Sequence, residues 1–166
     1  MPSPDPAGVE IRMMRDADLP EAIALLAGAN IAPVAPSAAI PHPERTDLIV
    51  GNTYVAVADG RLVGVRSFIQ LSPTEGEGAS LAVDPAYRGT GLAERLWLTG
   101  CREMYRRGIR IIRGETDKPD WFVERLGYRV VGTVAKRHPF GRLDVDHWTV
   151  IELDLGTGPG IGDAGD

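Results

Sequence analysis

Leu81-Ala82-Val83-Asp84-Pro85-Ala86-Tyr87-Arg88-Gly89-Thr90-Gly91-Leu92-Ala93-Glu94-Arg95-Leu96 changes period partway along. Up to Val83 it reads as a buried strand. After Gly91 it reads as an amphipathic helix. Between them lies a short Gly-rich turn headed by Arg88. A strand feeding a helix through such a turn points several backbone N–H groups at one spot, where the helix dipole also favours negative charge. That is the chemistry of a pyrophosphate cradle.

Working outward, Leu92, Ala93, Leu96, Trp97, Gly100, Cys101, Met104 and Tyr105 repeat with helical spacing and predict one buried stripe. Glu94, Arg95, Arg102, Glu103, Arg106 and Arg107 occupy the opposite face, and Gly108 ends the helix. Upstream, Tyr54 to Ala58, then Asp59-Gly60, then Leu62 to Val65 is a hairpin signal. Its second strand is expected to run on through Phe68, Ile69 and Leu71. Pro73, Gly76 and Gly78 are read as the next turn, and Ala79 to Val83 as the strand after it. Downstream, residues 109–115 read as a strand. Pro119 to Leu126 reads as a short helix closed by Gly127 in a left-handed cap. Tyr128 to Val134 and Trp148 to Leu153 are two further strands, joined by a loop from Lys136 to Asp146.

At the other end, residues 1–8 are a Pro-rich, flexible lead, and Val9 to Met13 alternates as a first strand. Asp18-Leu19-Pro20-Glu21 looks like a helix start, with Asp18 as the cap and Glu21 three residues on. Leu19, Ala22, Ile23 and Leu26 share its inward face. Pro33, Pro36, Pro41 and Pro43 then punctuate a long loop that also holds His42, a candidate wall of a substrate site. The tail 156–166 is Gly- and Asp-rich and expected to be flexible. One domain, residues 9–155, is expected.

Composition narrows the function classes. The chain has 166 residues, 43% hydrophobic and 25% charged, which suits one soluble domain with a real core. Its net charge of −5 argues against a nucleic-acid surface and is compatible with a cationic substrate. A single cysteine permits no internal disulfide, and no apolar run is long enough to span a membrane. With no signal-peptide pattern at the N-terminus, the expected compartment is the cytoplasm. Cys101 falls on the inward helix stripe and reads as a packed thiol. His42, His138 and His147 are scattered without metal-ligand spacing, so no metal site is expected. Arg106, Arg107 and Arg110 read as a solvated basic face. His138 sits in the late loop with Arg137, Phe140 and Arg142; both this loop and the Pro-rich loop could border an acceptor pocket.

The predicted order, β-α-(loop)-β-β-β-α-β-α-β-β, together with Arg88-Gly89-Thr90-Gly91-Leu92-Ala93, resembles the GNAT superfamily of N-acyltransferases. Arg88, Gly91 and Ala93 fill the three fixed places of that family's phosphate-binding signature. Residues 81–87 are similar to its fourth strand and the turn after it, and Glu124-Arg125-Leu126-Gly127-Tyr128 to its later helix-to-strand junction. The resemblance spans roughly residues 9–155. It implies an α/β (α+β) fold: a mixed, largely antiparallel central sheet flanked by helices. A Rossmann reading fails because Gly89-Thr90-Gly91 lacks the third glycine, and no Gly-Lys-Ser/Thr follows for a Walker loop.

The resemblance also implies chemistry. Amides along Gly89, Thr90, Gly91, Leu92 and Ala93, with Arg88, would bind the pyrophosphate of acetyl-CoA. Backbone near Leu81 and Val83 would bond the pantetheine arm and polarise the thioester carbonyl. The acetyl group would pass to a primary amine by direct attack, the acceptor being a small molecule, a peptide or a protein. A base must take the ammonium proton. The family often uses a glutamate on or near the fourth strand, which makes Glu77 the first candidate, with Glu75 and Glu115 as others. Asp84 reads as a cap or turn former. Many members carry a tyrosine acid four residues before the junction glycine; here that place is Val123. The asparagine often found earlier in that segment is Thr116. Trp121 and Phe122 could flank the pantetheine arm or pack in the core. Homodimers are common in the family. Val123 also keeps open a rival reading, a non-catalytic acyl-CoA-binding sensor or interaction module. An unrelated phosphate-binding fold is a third.

Overall fold

Seven strands and three helices follow one another in the predicted order among the described residues of the computed structural model, 6–29, 31, 48–136 and 144–156. They are β1 (Glu10–Met13), α1 (Leu19–Gly28), β2 (Thr53–Ala58), β3 (Arg61–Gln70), β4 (Glu75–Val83), α2 (Leu92–Arg106), β5 (Ile111–Thr116), α3 (Pro119–Leu126), β6 (Arg129–Ala135) and β7 (His147–Asp154). The four prolines and His42 of the long loop, Arg137, His138, Phe140 and Arg142 of the late loop, and the tail beyond Gly156 lie outside the described residues. The sheet order is β1-β2-β3-β4-β5-β7-β6. β1–β2, β2–β3, β5–β7 and β7–β6 pair antiparallel and β4–β5 pairs parallel, so the sheet is mixed and largely antiparallel, as expected. The parallel register runs from Glu75↔Ile111 to Glu77↔Arg113.

The chain divides into two compact units. The first comprises the described residues of Met1–Phe68 and Ala79–Gly100. Asp59 and Gly60 both take positive φ, 50° and 75°, which gives the two-residue hairpin turn that matches strand twist. Ala22 and Leu26 of α1 are fully buried and pack with Met14, Leu48, Val55, Leu62, Val65 and Ala82. Gly64 of β3 makes room for α2: a Cβ there would stand 2.5 Å from Leu96 Cδ1. Arg66 is fully buried, with its guanidinium carbon 4.2 Å from the Trp97 ring centre and 5.4 Å from that of Phe68. Gly100 is required beside it, because an added Cβ would come within 2.5 Å of Arg66 Nη1.

The start of α1 differs from the expected capping box. Asp18 stands at the N-cap of α1, but its side chain makes no cap bond to that helix. Its carboxylate accepts a bidentate bond from Arg12, at 2.7 and 3.0 Å, and another from the Arg15 N–H at 2.7 Å. Glu21 turns instead to the sheet and accepts from the Leu62 N–H at 3.1 Å. An arginine on the neighbouring strand outcompetes the helix terminus for Asp18.

The second unit comprises Ile69–Gly78 and the described residues of Cys101–Asp166. Here Pro73 stands in the turn as expected, but Gly76 and Gly78 do not: both lie in β4. Ser72 makes the turn: its Oγ accepts from the Thr74 and Glu75 N–H groups, and the Leu71 and Ser72 N–H groups both reach Glu75 O. β3 accordingly stops at Gln70, and β4 begins at Glu75, four residues before the expected start. Gly76 is a strand residue kept small by α2, since a Cβ would lie 2.4 Å from Met104 Cε. Gly108 and Gly127 close α2 and α3 with φ of 96° and 76°. The remaining strand ends differ from expectation by one or two residues.

Candidate active site

In the first unit, β4 ends at Val83 and the chain turns at once. Asp84 Oδ1 accepts from the Ala86 N–H at 2.9 Å and opens a single 3-10 turn, Pro85–Tyr87. Asp84 is therefore the turn former expected of it. The carbonyl of Tyr87 then accepts from Thr90 Oγ at 2.6 Å and from the Thr90 N–H at 3.4 Å. Gly89 and Gly91 sit on either side of Thr90 in left-handed conformation, φ 76° and 81°, where a side chain would be strained. A Cβ at either glycine would meet no atom within 4 Å. The glycines therefore serve conformation and open approach, not packing. Leu92 is buried at 1% exposure and anchors the start of α2. The Arg95 N–H bonds the Gly91 carbonyl at 3.0 Å. The amides of Leu92, Ala93 and Glu94 precede that bond and belong to the helix terminus, whose donors have no partner one turn back. Arg88 is exposed at the head of the turn. On β4, Ser80 and Ala82 are buried while Leu81 and Val83 are half-buried, which fits the pleat.

The three candidate base residues all fall in the second unit. Glu75 and Glu77 are two apart on β4, and Glu115 is two beyond Arg113 on β5. Register puts Glu77 opposite Arg113, and alternation puts Glu75 and Glu115 on the same sheet face. Glu75 Oε1 lies 3.5 Å from Arg113 Nη2. Arg113 Nε donates to Glu152 of β7 at 3.2 Å, and Arg129 of β6 donates to the other Glu152 oxygen. The Arg129 guanidinium holds the buried Glu152 carboxyl below its usual range, with Arg113 adding to the effect against the cost of burial. Arg113, Glu152 and Arg129 are missing from the sequence-based candidates because cross-strand register has no signature in a single strand's pattern.

Downstream, Val123 is 38% exposed on α3. Trp121 and Phe122 meet edge-on at 4.9 Å, and Phe122 meets Tyr128 at 5.4 Å, so these rings pack among themselves. Thr116 is buried, and its Oγ accepts from the Lys118 N–H at 3.0 Å, tying down the entry to α3. The expected basic face is mostly spent locally: Arg106 and Arg107 pair with Glu103, and Arg110 lies 3.9 Å from the Tyr105 ring centre. Cys101 is fully buried, in keeping with a packed thiol. His147 Nδ1 stands 2.6 Å from Asp146 Oδ1 at the surface, and holds that carboxyl below its usual range. Among the described residues no group of His, Cys, Asp and Glu is arranged to hold a metal ion. None of the described helices is long and apolar enough to cross a membrane.

Known proteins agree with this architecture. The family model of the acetyltransferase (GNAT) domain matches residues 50–130. A glucosamine 6-phosphate N-acetyltransferase of Trypanosoma brucei brucei is 31% identical over 135 residues, which cover 75% of this chain and 92% of that protein. Among solved structures, a GCN5-related N-acetyltransferase from Kribbella flavida aligns with TM-score 0.69 at 22% identity, covering 90% of this chain and 99% of that one. The N-acetylglutamate synthase from Neisseria gonorrhoeae, solved with coenzyme A and N-acetyl-glutamate, aligns with TM-score 0.64 at 21% identity. That alignment covers 88% of this chain but only 35% of the synthase, so the chain spans about a third of that protein's length. The chain belongs to the GNAT acetyltransferase family. It is an acyltransferase.

Proposed function

We propose that the protein is an N-acetyltransferase that moves an acetyl group from acetyl-CoA to a primary amine by direct attack. The observation that carries this reading is the turn at residues 88–93, where two left-handed glycines leave open space in front of the first amides of α2. Arg88 and the amides of Gly89, Thr90, Gly91, Leu92 and Ala93 hold the pyrophosphate there. The backbone of Leu81 and Val83 carries the pantetheine arm and polarises the thioester carbonyl. Glu77, four residues before Leu81 on the same strand, takes the proton from the acceptor ammonium, directly or through water. The freed amine attacks the thioester carbon, the nitrogen gives up its second proton to water, the carbon–sulfur bond breaks, and coenzyme A leaves as its thiolate. Val123 supplies no proton to that thiolate. The enzyme's contribution is proximity and carbonyl polarisation.

Glu77 is preferred to Glu75 because it lies two residues nearer to Leu81 along β4, and to Glu115 because that residue stands on the partner strand. The acceptor is a primary amine, and amino-sugar phosphates are the first class to test, because the Trypanosoma relative bears that substrate in its name. The lone, buried Cys101 suits the reducing cytoplasm. The test is thiol release from acetyl-CoA with glucosamine 6-phosphate and mixed amine pools. Amine-dependent release is expected, and Glu77→Gln is expected to lower kcat/KM about 100-fold or more. Full activity of Glu77→Gln across the pH range would remove Glu77 from the mechanism.

A further inference from the structure

Glu75, Arg113, Glu152 and Arg129 stand on β4, β5, β7 and β6, four successive strands of the sheet, with alternating charge. Arg113 is directly opposite Glu152, and Glu152 is directly opposite Arg129. Opposed residues in a ladder share a face, as do residues two apart on one strand. Glu77, opposite Arg113, therefore belongs to this face. So do Glu115, two beyond Arg113, and Asp154, two beyond Glu152. The hairpin return at residues 69–72 adds no ionisable side chain. Glu77 thus shares its face with four carboxylates, Glu75, Glu115, Glu152 and Asp154, and with two guanidinium groups, Arg113 and Arg129.

We infer that Arg113 is a positioning residue for Glu77: clamped between Glu152 and Glu75, its guanidinium holds a fixed positive charge on the face from which the base acts. The inference rests on the reading of Glu77 as the base. A half-exposed arginine alone would sample many rotamers and screen poorly. Here one end is bonded by Glu152, itself held ionised by Arg129, and the other lies against Glu75. Glu75 is one pleat repeat before Glu77, roughly 7 Å along the strand. Arg113, opposite Glu77 in the register, offsets the neighbouring carboxylates in the ionisation of Glu77 by Coulomb attraction. Glu77 then stays ionised, and able to take a proton, at lower pH than the surrounding carboxylates alone would allow.

The experiment is a carboxyl-carbon NMR titration of Glu77 in the full-length wild type, Arg113→Gln and Arg113→Lys, with Glu77→Gln used to assign the resonance. The Glu77 midpoint should rise by about 0.5–1 pH unit in Arg113→Gln, return towards wild type in Arg113→Lys, and shift less at 1 M salt. A midpoint unchanged in Arg113→Gln overturns the inference, whatever the catalytic role of Glu77. The acid limb of kcat/KM for acetyl transfer is measured on the same proteins and should move with the midpoint. If the midpoint moves but Glu77→Gln transfers acetyl like wild type, the base reading is what fails, and the positioning role falls with it. A purely structural tie at Arg113 would lower the unfolding midpoint and leave both titrations in place.

Discussion

The turn at residues 88–93 and the sheet face of Glu77 handle charge by opposite means. The turn uses almost no side chains: its conformation comes from two glycines, and its positive end comes from backbone amides. The sheet face is all side chain, a row of arginines and carboxylates whose effect depends on which reaches which. A backbone device tolerates changes in its neighbours but not in its glycines. A side-chain device can be retuned residue by residue. Under the proposed function, the donor would sit on the first device and the acceptor amine on the second. The same contrast recurs in how each unit seats α2: Gly100 stands against a fully buried, ring-stacked arginine, and Gly76 against the flexible end of Met104.

The largest effect is expected at the turn. Gly91→Asp should weaken coenzyme A binding on the order of 100-fold by calorimetry, because it sets a carboxylate against the pyrophosphate and strains a left-handed position. Gly91→Ala carries the strain alone and should lose far less. Equal losses would show that conformation, not charge, governs the cradle, and unchanged affinity in Gly91→Asp would refute it. Next come the two helix seats. Gly100→Ala should cost about 1–3 kcal/mol in urea unfolding, since the trapped guanidinium cannot yield, and Gly76→Ala should cost about 1 kcal/mol or less, since Met104 can. Equal costs would erase the distinction between the seats.

The smallest effect is the pH response of the Glu152 pairing. Its carboxyl is depressed in the folded protein, chiefly by the Arg129 hydrogen bond. Its contribution is therefore present above its unfolded value, near 4.5, and is lost as pH falls through the lower folded value. Glu152→Gln should flatten the loss of stability below pH 4.5, measured as urea midpoints from neutral pH downward. Asp18, depressed chiefly by Arg12 in the first unit, sets the comparison. If Asp18→Asn flattens the curve and Glu152→Gln does not, the sheet-face pairing contributes nothing to acid stability.

Much of the fold was legible because its signals are local. The Leu92-to-Tyr105 stripe, Asp59-Gly60 and Gly127 each depend on neighbours within a turn or two, and each stands where the pattern puts it. The misreadings share the opposite cause. Gly76 and Gly78 looked like turn residues because glycine's usual reason is conformational. Gly76 is instead small because Met104, 28 positions away, lies over it. Asp18 looked like a cap until Arg12, on a strand, claimed it. The conformation of the 88–93 turn could be read for the same reason as the helices, since its glycines stand in consecutive sequence. The carboxylate face could not, because Arg113, Glu152 and Arg129 meet only through register.

One buried atom has a practical consequence. Cys101 is the protein's single cysteine, and it is fully enclosed midway along α2. A thiol reagent added to the native protein therefore meets no accessible protein thiol, so in the proposed acetyl-CoA assay it would report released coenzyme alone. Without substrate, the same reagent becomes a clock. It reacts only when the helix lifts away, and the rate at which colour appears reports the free energy of that opening.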